Sequence, residues 1–187
     1  MLNKQKLYWS LQLGGWAFYA IVQIAASVIA AEGLGISTQR IIFFGYEAVF
    51  CLLLTHGYRH FINEWRWLGL GMPRLIPKVI VTVCGLGAIM YFLRIPISFP
   101  LRMYSKEVAF DPENIFWGSL YYVIIFFLWS ILYFIYNYFE RYNKSLKLEA
   151  YAREIELNNL KSQLNPHFIF NALNSVRALV DENPEKS

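Results

Sequence analysis

Residues 115–138 read IFWGSLYYVIIFFLWSILYFIYNY, with no charged side chain anywhere in the run. A helix needs about 20 mostly apolar residues to cross a hydrocarbon layer of about 30 Å. This stretch meets that requirement, and it is too long and continuous for a core helix of a small soluble domain. Three more runs share its character, from about Tyr8 to Ala31, Ile41 to Tyr58 and Leu75 to Ile95. The fold class expected is therefore an all-α membrane protein. A bundle of four transmembrane helices continues into a cytoplasmic, coiled-coil-like helix.

Composition agrees. Of 187 residues, 57% are hydrophobic, 18% aromatic and 16% charged, where a soluble domain carries about 25% charged residues. The apolar excess lies in residues 1–139, expected as the membrane module. Residues 140–187 read as a polar cytoplasmic part in two segments, a helix over 140–163 and a further region over 164–187. The formal charge of +4 comes from Lys and Arg flanking apolar runs. It implies topology signals beside anionic lipid and no direct nucleic-acid binding. Cys51 and Cys84 both fall within apolar runs, which points to small buried hydrophobes and away from a disulfide framework. The first run ends in Ala30-Ala31, but it is too long for a signal peptide and carries Gln12, Trp16, Tyr19 and Gln23.

Positive charge sets the orientation. Lys4 and Lys6 precede the first span. Arg59, Arg66, Arg74 and Lys78 lie beside the turn between the second and third, and Arg141, Lys144, Lys147 and Arg153 follow the fourth. Both termini are therefore expected in the cytoplasm, with two loops outside, in a multi-pass membrane protein. Trp65, Trp67 and Trp117 stand at span edges, where amphipathic rings favour the interface. The outer loops, the second from about Pro96 to Asn114, are too short to build a sensing domain. Any stimulus must act within the membrane, on a short loop, or through a partner.

One carboxylate lies within the spans. Glu47 is roughly 9–10 Å below the outer end of the second span, at about 1.5 Å per residue. Placing it in hydrocarbon costs about 2.5–3.5 kcal/mol, so it requires a partner, a proton or a cavity. Arg94 falls at a comparable depth, so Glu47 and Arg94 are expected to pair as an intramembrane sensing element. His56 and His60 share an i, i+4 spacing, but no nearby Cys, Asp or Glu completes a metal set, and no metal site is expected. The aromatic-rich fourth span is expected to pack against lipid and neighbouring helices.

The pattern changes at Glu140. Residues 140–164, ERYNKSLKLEAYAREIELNNLKSQL, hold no Gly or Pro and many strong helix formers. Leu146, Ala150, Leu157, Leu160 and Leu164 follow 4-3 spacing apart from the polar Arg153, which predicts a helix pairing with a copy of itself, a homodimer. Glu149 and Arg153 are placed to pair at i, i+4. Then comes Leu164-Asn165-Pro166-His167-Phe168-Ile169-Phe170-Asn171-Ala172-Leu173-Asn174. On a helical wheel at about 100° per residue, Leu173, Val176 and Val180 fall within about 40° of Ile169, and His167 falls about 160° away. Asn171 and Asn174 share its polar face. Pro166 lacks an amide hydrogen and should bend the chain just before the histidine. An imidazole accepts a phosphoryl group when one ring nitrogen is neutral and reachable and the other is held by a hydrogen bond.

The run from Leu160 to Asn174 resembles the phosphoacceptor box of LytS/YehU-type sensor histidine kinases through its PHFxFNxLN core, and the four preceding spans resemble the membrane part of the FimS/AlgZ-like group. The resemblance implies a protein histidine kinase in which His167 is autophosphorylated. Asn165, Pro166, Phe168, Asn171 and Asn174 would support it. The phosphoryl group would pass to an aspartate of a response regulator, one of LytTR type. Phe168 occupies the place where many other histidine kinases carry an acidic residue, so no general base is assigned. The resemblance also implies ATP and Mg2+ as cofactors of a catalytic domain. No Gly-rich phosphate cradle follows His167, so these residues alone are expected to be an inactive portion, truncated after the phosphoacceptor box, with no cofactor of their own. Two further readings are a membrane scaffold that uses the stalk only to dimerise, and a small transporter subunit built on Glu47 and Arg94. Neither calls for an exposed Pro-His with co-facial asparagines.

Overall fold

A computed structural model describes residues 4–30, 37–163 and 166–182. Its helices are α1 (Lys4–Ala30), α2 (Thr38–Glu64), α3 (Met72–Ser98), the short α4 (Lys106–Ala109), α5 (Pro112–Gln163) and α6 (Pro166–Glu182). Four of them, α1, α2, α3 and α5, are long and apolar enough to cross a membrane by length and composition. The described residues form an all-α membrane protein with no strands. This is what a bilayer requires of a chain that cannot close a barrel, since a helix satisfies its own backbone polar groups in the absence of water.

The chain separates into two compact units, Met1–Phe134 and Ile135–Ser187. The division falls a few residues before the sequence-based boundary at 139. In the first unit α2 lies against both α1 and α3, and its inward face carries Phe43, Glu47, Cys51, Thr55, Tyr58 and Ile62, all buried. Val83, Met90 and Tyr91 from α3 and Tyr122 and Phe126 from α5 complete the centre. Helices α3 and α5 approach closely at two glycines. A Cβ on Gly87 would stand 2.5 Å from Val123 Cγ2 and 2.9 Å from the Ser119 carbonyl oxygen, and one on Gly118 would meet the Tyr91 ring. Small residues give apolar helices close backbone contact where hydrophobic force between them is weak. Outward-facing Phe116, Trp117, Phe127 and Leu132 remain exposed for lipid.

The turn from α2 to α3 reverses through Arg66, whose backbone is left-handed (φ 51°), and a single 3-10 turn over Trp67–Gly69. Trp65 is 62% exposed, as an interfacial ring should be, but Trp67 is 3% exposed. It is folded back against Tyr58 and Phe61, so packing within the turn takes this ring from the lipid interface. Pro96, read from sequence as the start of the outer loop, lies inside α3, which runs on to Ser98. An exposed proline near a helix end removes one hydrogen bond without stopping the helix. Beyond it the outer segment is ordered. Met103 N–H donates to the Ser98 carbonyl at 2.9 Å, Tyr91 Oη donates to the Ala109 carbonyl of α4 at 2.9 Å, and Asp111 Oδ2 caps α5 by accepting from Asn114 N–H at 3.1 Å.

The second unit is the remainder of α5 followed by α6. From Arg141 to Ser162 of α5 every residue is exposed, including Leu146, Leu157 and Leu160 of the 4-3 pattern. Leu164 lies outside the described residues. Arg153 and Glu149 form the i, i+4 ion pair at 2.7 Å, an exposed contact worth about 0.3–0.5 kcal/mol. The bend expected just before the histidine falls on residues 164 and 165, which lie outside the described residues; the described part of α5 runs to Gln163 and that of α6 from Pro166.

Candidate functional site

His167 is the second residue of α6 and is exposed. The imidazole lies at the N-terminal end of the described part of α6. One helical turn later, Asn171 places its side-chain amide 3.2 Å from His167 Nδ1 and 3.5 Å from Nε2. Ser175 Oγ donates to the Asn171 carbonyl at 2.9 Å, a local contact that keeps the hydroxyl on the same turn. Asn174 is also exposed. Asn165 lies outside the described residues. The residue after the histidine, Phe168, is 70% exposed, and its hydrocarbon ring has no proton-accepting atom. Phe170, Leu173, Val176 and Val180 are exposed as well. These give α6 an apolar side in addition to its polar one.

The first unit holds a different constellation, centred on Glu47, which is 2% exposed. A buried charged group is tolerated only when its lone pairs are satisfied. Here Tyr122 Oη donates to Glu47 Oε1 at 2.5 Å, and Tyr19 Oη donates to Oε2 at 3.4 Å. Tyr121 Oη approaches Tyr19 Oη at 3.5 Å and receives a hydrogen bond from Gln23 Nε2. On the other side, Arg94 Nη1 donates to Tyr122 Oη at 3.5 Å. The expected direct pairing of Glu47 with Arg94 is thus replaced by a bridge: among the described residues no ion pair joins them, and the Tyr122 hydroxyl stands between. Arg94 is held instead by rings, with its Cζ 4.7 Å from the Tyr91 centroid, 4.9 Å from Tyr104 and 5.7 Å from Tyr122. A guanidinium over aromatic faces is stabilised by the ring quadrupoles. The network takes side chains from all four spans.

A second polar layer lies nearer the other end of the bundle. Thr55 Oγ1 accepts from Gln12 Nε2 at 2.6 Å and from Trp16 Nε1 at 3.1 Å, while donating to the Cys51 carbonyl at 2.8 Å. Gln12 Oε1 accepts from Trp129 Nε1 at 3.0 Å. Tyr19, Tyr121, Tyr122, Thr55 and Trp129 were not singled out as site residues from sequence. The available signal was the polar residue in each apolar run, since a Gln or Thr in hydrocarbon requires a partner on a neighbouring helix. His56 Nδ1 is 3.0 Å from Tyr8 Oη, and its ring stacks on Trp9. Among the described residues no three His, Cys, Asp or Glu side chains gather as a metal would require.

Residues 155–187 match the family model described as histidine kinase. The matched segment contains the end of α5, all of α6, His167 and its asparagines. It covers a minor part of the chain and supports the histidine kinase class in general. No curated protein and no solved structure matches the chain.

Proposed function

We propose that this chain is the membrane sensor and phosphoacceptor portion of a two-component sensor histidine kinase of LytS/YehU type. His167 accepts a phosphoryl group from ATP held, with Mg2+, by a nucleotide-binding domain, and passes it to an aspartate of a response regulator, one of LytTR type. The four spans sit in a bacterial inner membrane with both ends of the chain in the cytoplasm. The stalk and the apolar side of α6 pair with a second copy. The Glu47–Tyr122–Arg94 bridge is the intramembrane sensing element.

One observation carries this reading: the segment that matches histidine kinases holds His167 exposed on α6 with the Asn171 amide against its ring. A histidine that held a metal would need two further donors. The test is labelling of this chain in detergent by radioactive ATP and a nucleotide-binding domain of a LytS-type kinase. His167→Gln should abolish the label, while His56→Gln and His60→Gln should leave it. Equal labelling of the His167→Gln chain would remove the assignment.

A further inference from the structure

Resting on the reading of the Glu47–Tyr122–Arg94 bridge as the sensing element, we infer that residues 99–111 dock into the lipid interface through Val108 and Phe110 and pass displacements of that interface to Arg94. The partner is the phospholipid monolayer at the end of the bundle where α3 and α5 are joined. Length places the segment first. Helix α3 has 27 residues, about 40 Å at about 1.5 Å per residue, against a hydrocarbon layer of about 30 Å. Centred on that layer, α3 ends within the headgroups at Ser98, and α5 starts at Pro112 on the same side. The chain returning between them lies at the level of the interface. Its side chains suit that level. At about 100° per residue, Val108 and Phe110 flank Ala109 on either side, and Glu107 points about 160° away from it. Ala109 is buried against the bundle, Val108 is 43% and Phe110 56% exposed, and Glu107 is exposed. An acid aimed outward with apolar groups spread sideways is the arrangement of an amphipathic turn lying in the interface plane. Phe116 and Trp117, in the first two turns of α5, are exposed as well, and aromatic rings favour this depth.

Two of the three rings that hold Arg94 answer to this segment. Tyr104 belongs to it, with its centroid 4.9 Å from Arg94 Cζ and its ring against Phe43. Tyr91 is fastened to it: Oη donates to the Ala109 carbonyl at 2.9 Å, and the ring centroid lies 4.7 Å from Arg94 Cζ. Arg94 in turn donates to the Tyr122 hydroxyl whose hydrogen Glu47 accepts. The turn itself is held in shape by Ser105 Oγ, which accepts from Val108 N–H at 3.3 Å. A change in the level of Ala109 relative to α3 therefore acts on Tyr91 and Tyr104 together and moves Arg94 against Tyr122. Val108 and Phe110 stand on either side of the tethered residue, so a displacement of the interface reaches the tether directly.

The test uses the full chain in phosphatidylcholine nanodiscs, on a Cys84→Ser parent. Spin labels on Val108→Cys, Phe110→Cys and Glu107→Cys report depth by collision with oxygen, which partitions into hydrocarbon, and with a nickel chelate, which stays in water. The labels at 108 and 110 should favour oxygen, and the label at 107 the nickel chelate. This readout needs no buried substitution. Fluorotyrosine placed at Tyr122 by amber suppression reports the bond to Glu47 through its fluorine NMR shift. That shift should differ between short-chain dimyristoleoyl and long-chain dierucoyl lipid, because chain length moves the interface relative to the bundle. The difference should be lost when Val108→Ser and Phe110→Ser are combined, and lost again in Tyr91→Phe. Equal water access at all three labels would overturn the inference. So would a fluorine shift indifferent to chain length in the parent, or a difference that survives either set of substitutions. Neither readout involves phosphoryl transfer, so failure of the kinase reading stays separate. The sensing reading fails by another result, labelling of His167 that ignores Tyr122→Phe.

Discussion

Tyr122 of α5 donates its phenol hydrogen to Glu47 of α2 at 2.5 Å, and this bond joins two helices at the most buried carboxylate of the described residues. The same hydroxyl receives Arg94 from α3. Tyr122 is therefore the shared partner of an acid and a base that do not touch each other. Removing it affects both.

Tyr122→Phe preserves the ring and deletes the hydroxyl. Glu47 Oε1 then loses its close donor and keeps only the longer bond from Tyr19 to the other oxygen. An unpaired buried polar group costs about 1–3 kcal/mol, and more when charged. Interhelical hydrogen bonds in membranes average about 0.6 kcal/mol, because the unfolded chain in lipid also finds partners. The carboxylate should push this case to the upper part of the range, giving a clear drop in the melting temperature of the detergent-solubilised chain. Glu47→Gln keeps an acceptor oxygen for Tyr122 and should cost less. An unaltered melting temperature in Tyr122→Phe would show that the bridge is not holding α2 to α5.

Thr55 makes a second, independent case. Thr55→Val leaves Gln12 Nε2 and Trp16 Nε1 as donors without an acceptor inside the bundle. The expected loss is about 1–3 kcal/mol. Adding Gln12→Leu removes one of the orphaned donors, so the double variant should be more stable than the sum of the two single losses. Simple additivity in a double-mutant cycle would mean that the Gln12–Thr55 contact contributes nothing.

The helical architecture was legible because hydrocarbon imposes one rule on every residue of a span, and the run from Ile115 to Tyr138 obeys it without exception. Its limits were less legible. The helices extend several residues past the apolar runs, as at Thr38, Glu64 and Ser98, because backbone hydrogen bonding continues into the interface after hydrophobicity ends. Glu47 and Arg94 stood out because charge in a span is costly, but their relation did not, since a tyrosine bridge depends on which face of α5 turns inward. Tyr121 and Tyr122 are adjacent in sequence, yet Tyr122 is buried against the acid and Tyr121 is 39% exposed. Nothing in the string Tyr-Tyr distinguishes them. Near His167 the reverse holds. The i, i+4 spacing to Asn171 is a property of any helix, so their contact followed as soon as the helix did.

The glycines give a steric prediction. Gly87→Ala would drive a Cβ to 2.9 Å from backbone atoms of Ser119 and Val123, which cannot yield as a side-chain tip can. Overpacking of this kind costs about 1–3 kcal/mol. Gly14 and Gly85 have open space at the same position, so alanine there should be tolerated and should raise helix propensity by about 1 kcal/mol at most. Melting temperatures of the three variants should separate Gly87→Ala from the other two.

The outer segment carries a pH dependence. The backbone amide at Glu107, then the Ser105 hydroxyl, hold the exposed Glu107 carboxyl below the usual carboxylate range. A folded midpoint lying below the unfolded one means that the stabilisation is present above the unfolded value. It is lost as pH falls through the lower, folded midpoint. A side-chain NMR titration of Glu107 should therefore show a depressed midpoint, and Ser105→Ala should raise it toward the ordinary value. A midpoint unmoved in Ser105→Ala would detach the serine from that effect.

Topology is the remaining expectation, and cysteine labelling decides it. Cys51 is buried and Cys84 is exposed midway along α3, on a helix surface expected to meet lipid, so a Cys84→Ser parent gives a low background. On that parent, Glu107→Cys marks the segment between α3 and α5, and Lys147→Cys marks the polar part of α5. Lys and Arg gather at the start of α1, around the α2–α3 turn and after residue 140, and the proposed cytoplasmic placement of those regions rests on this asymmetry. A maleimide that cannot cross membranes should then label Glu107→Cys in intact cells and Lys147→Cys only after permeabilisation. The opposite pattern would put His167 outside the cell, away from ATP and from any response regulator, and the phosphotransfer proposal would fail with it.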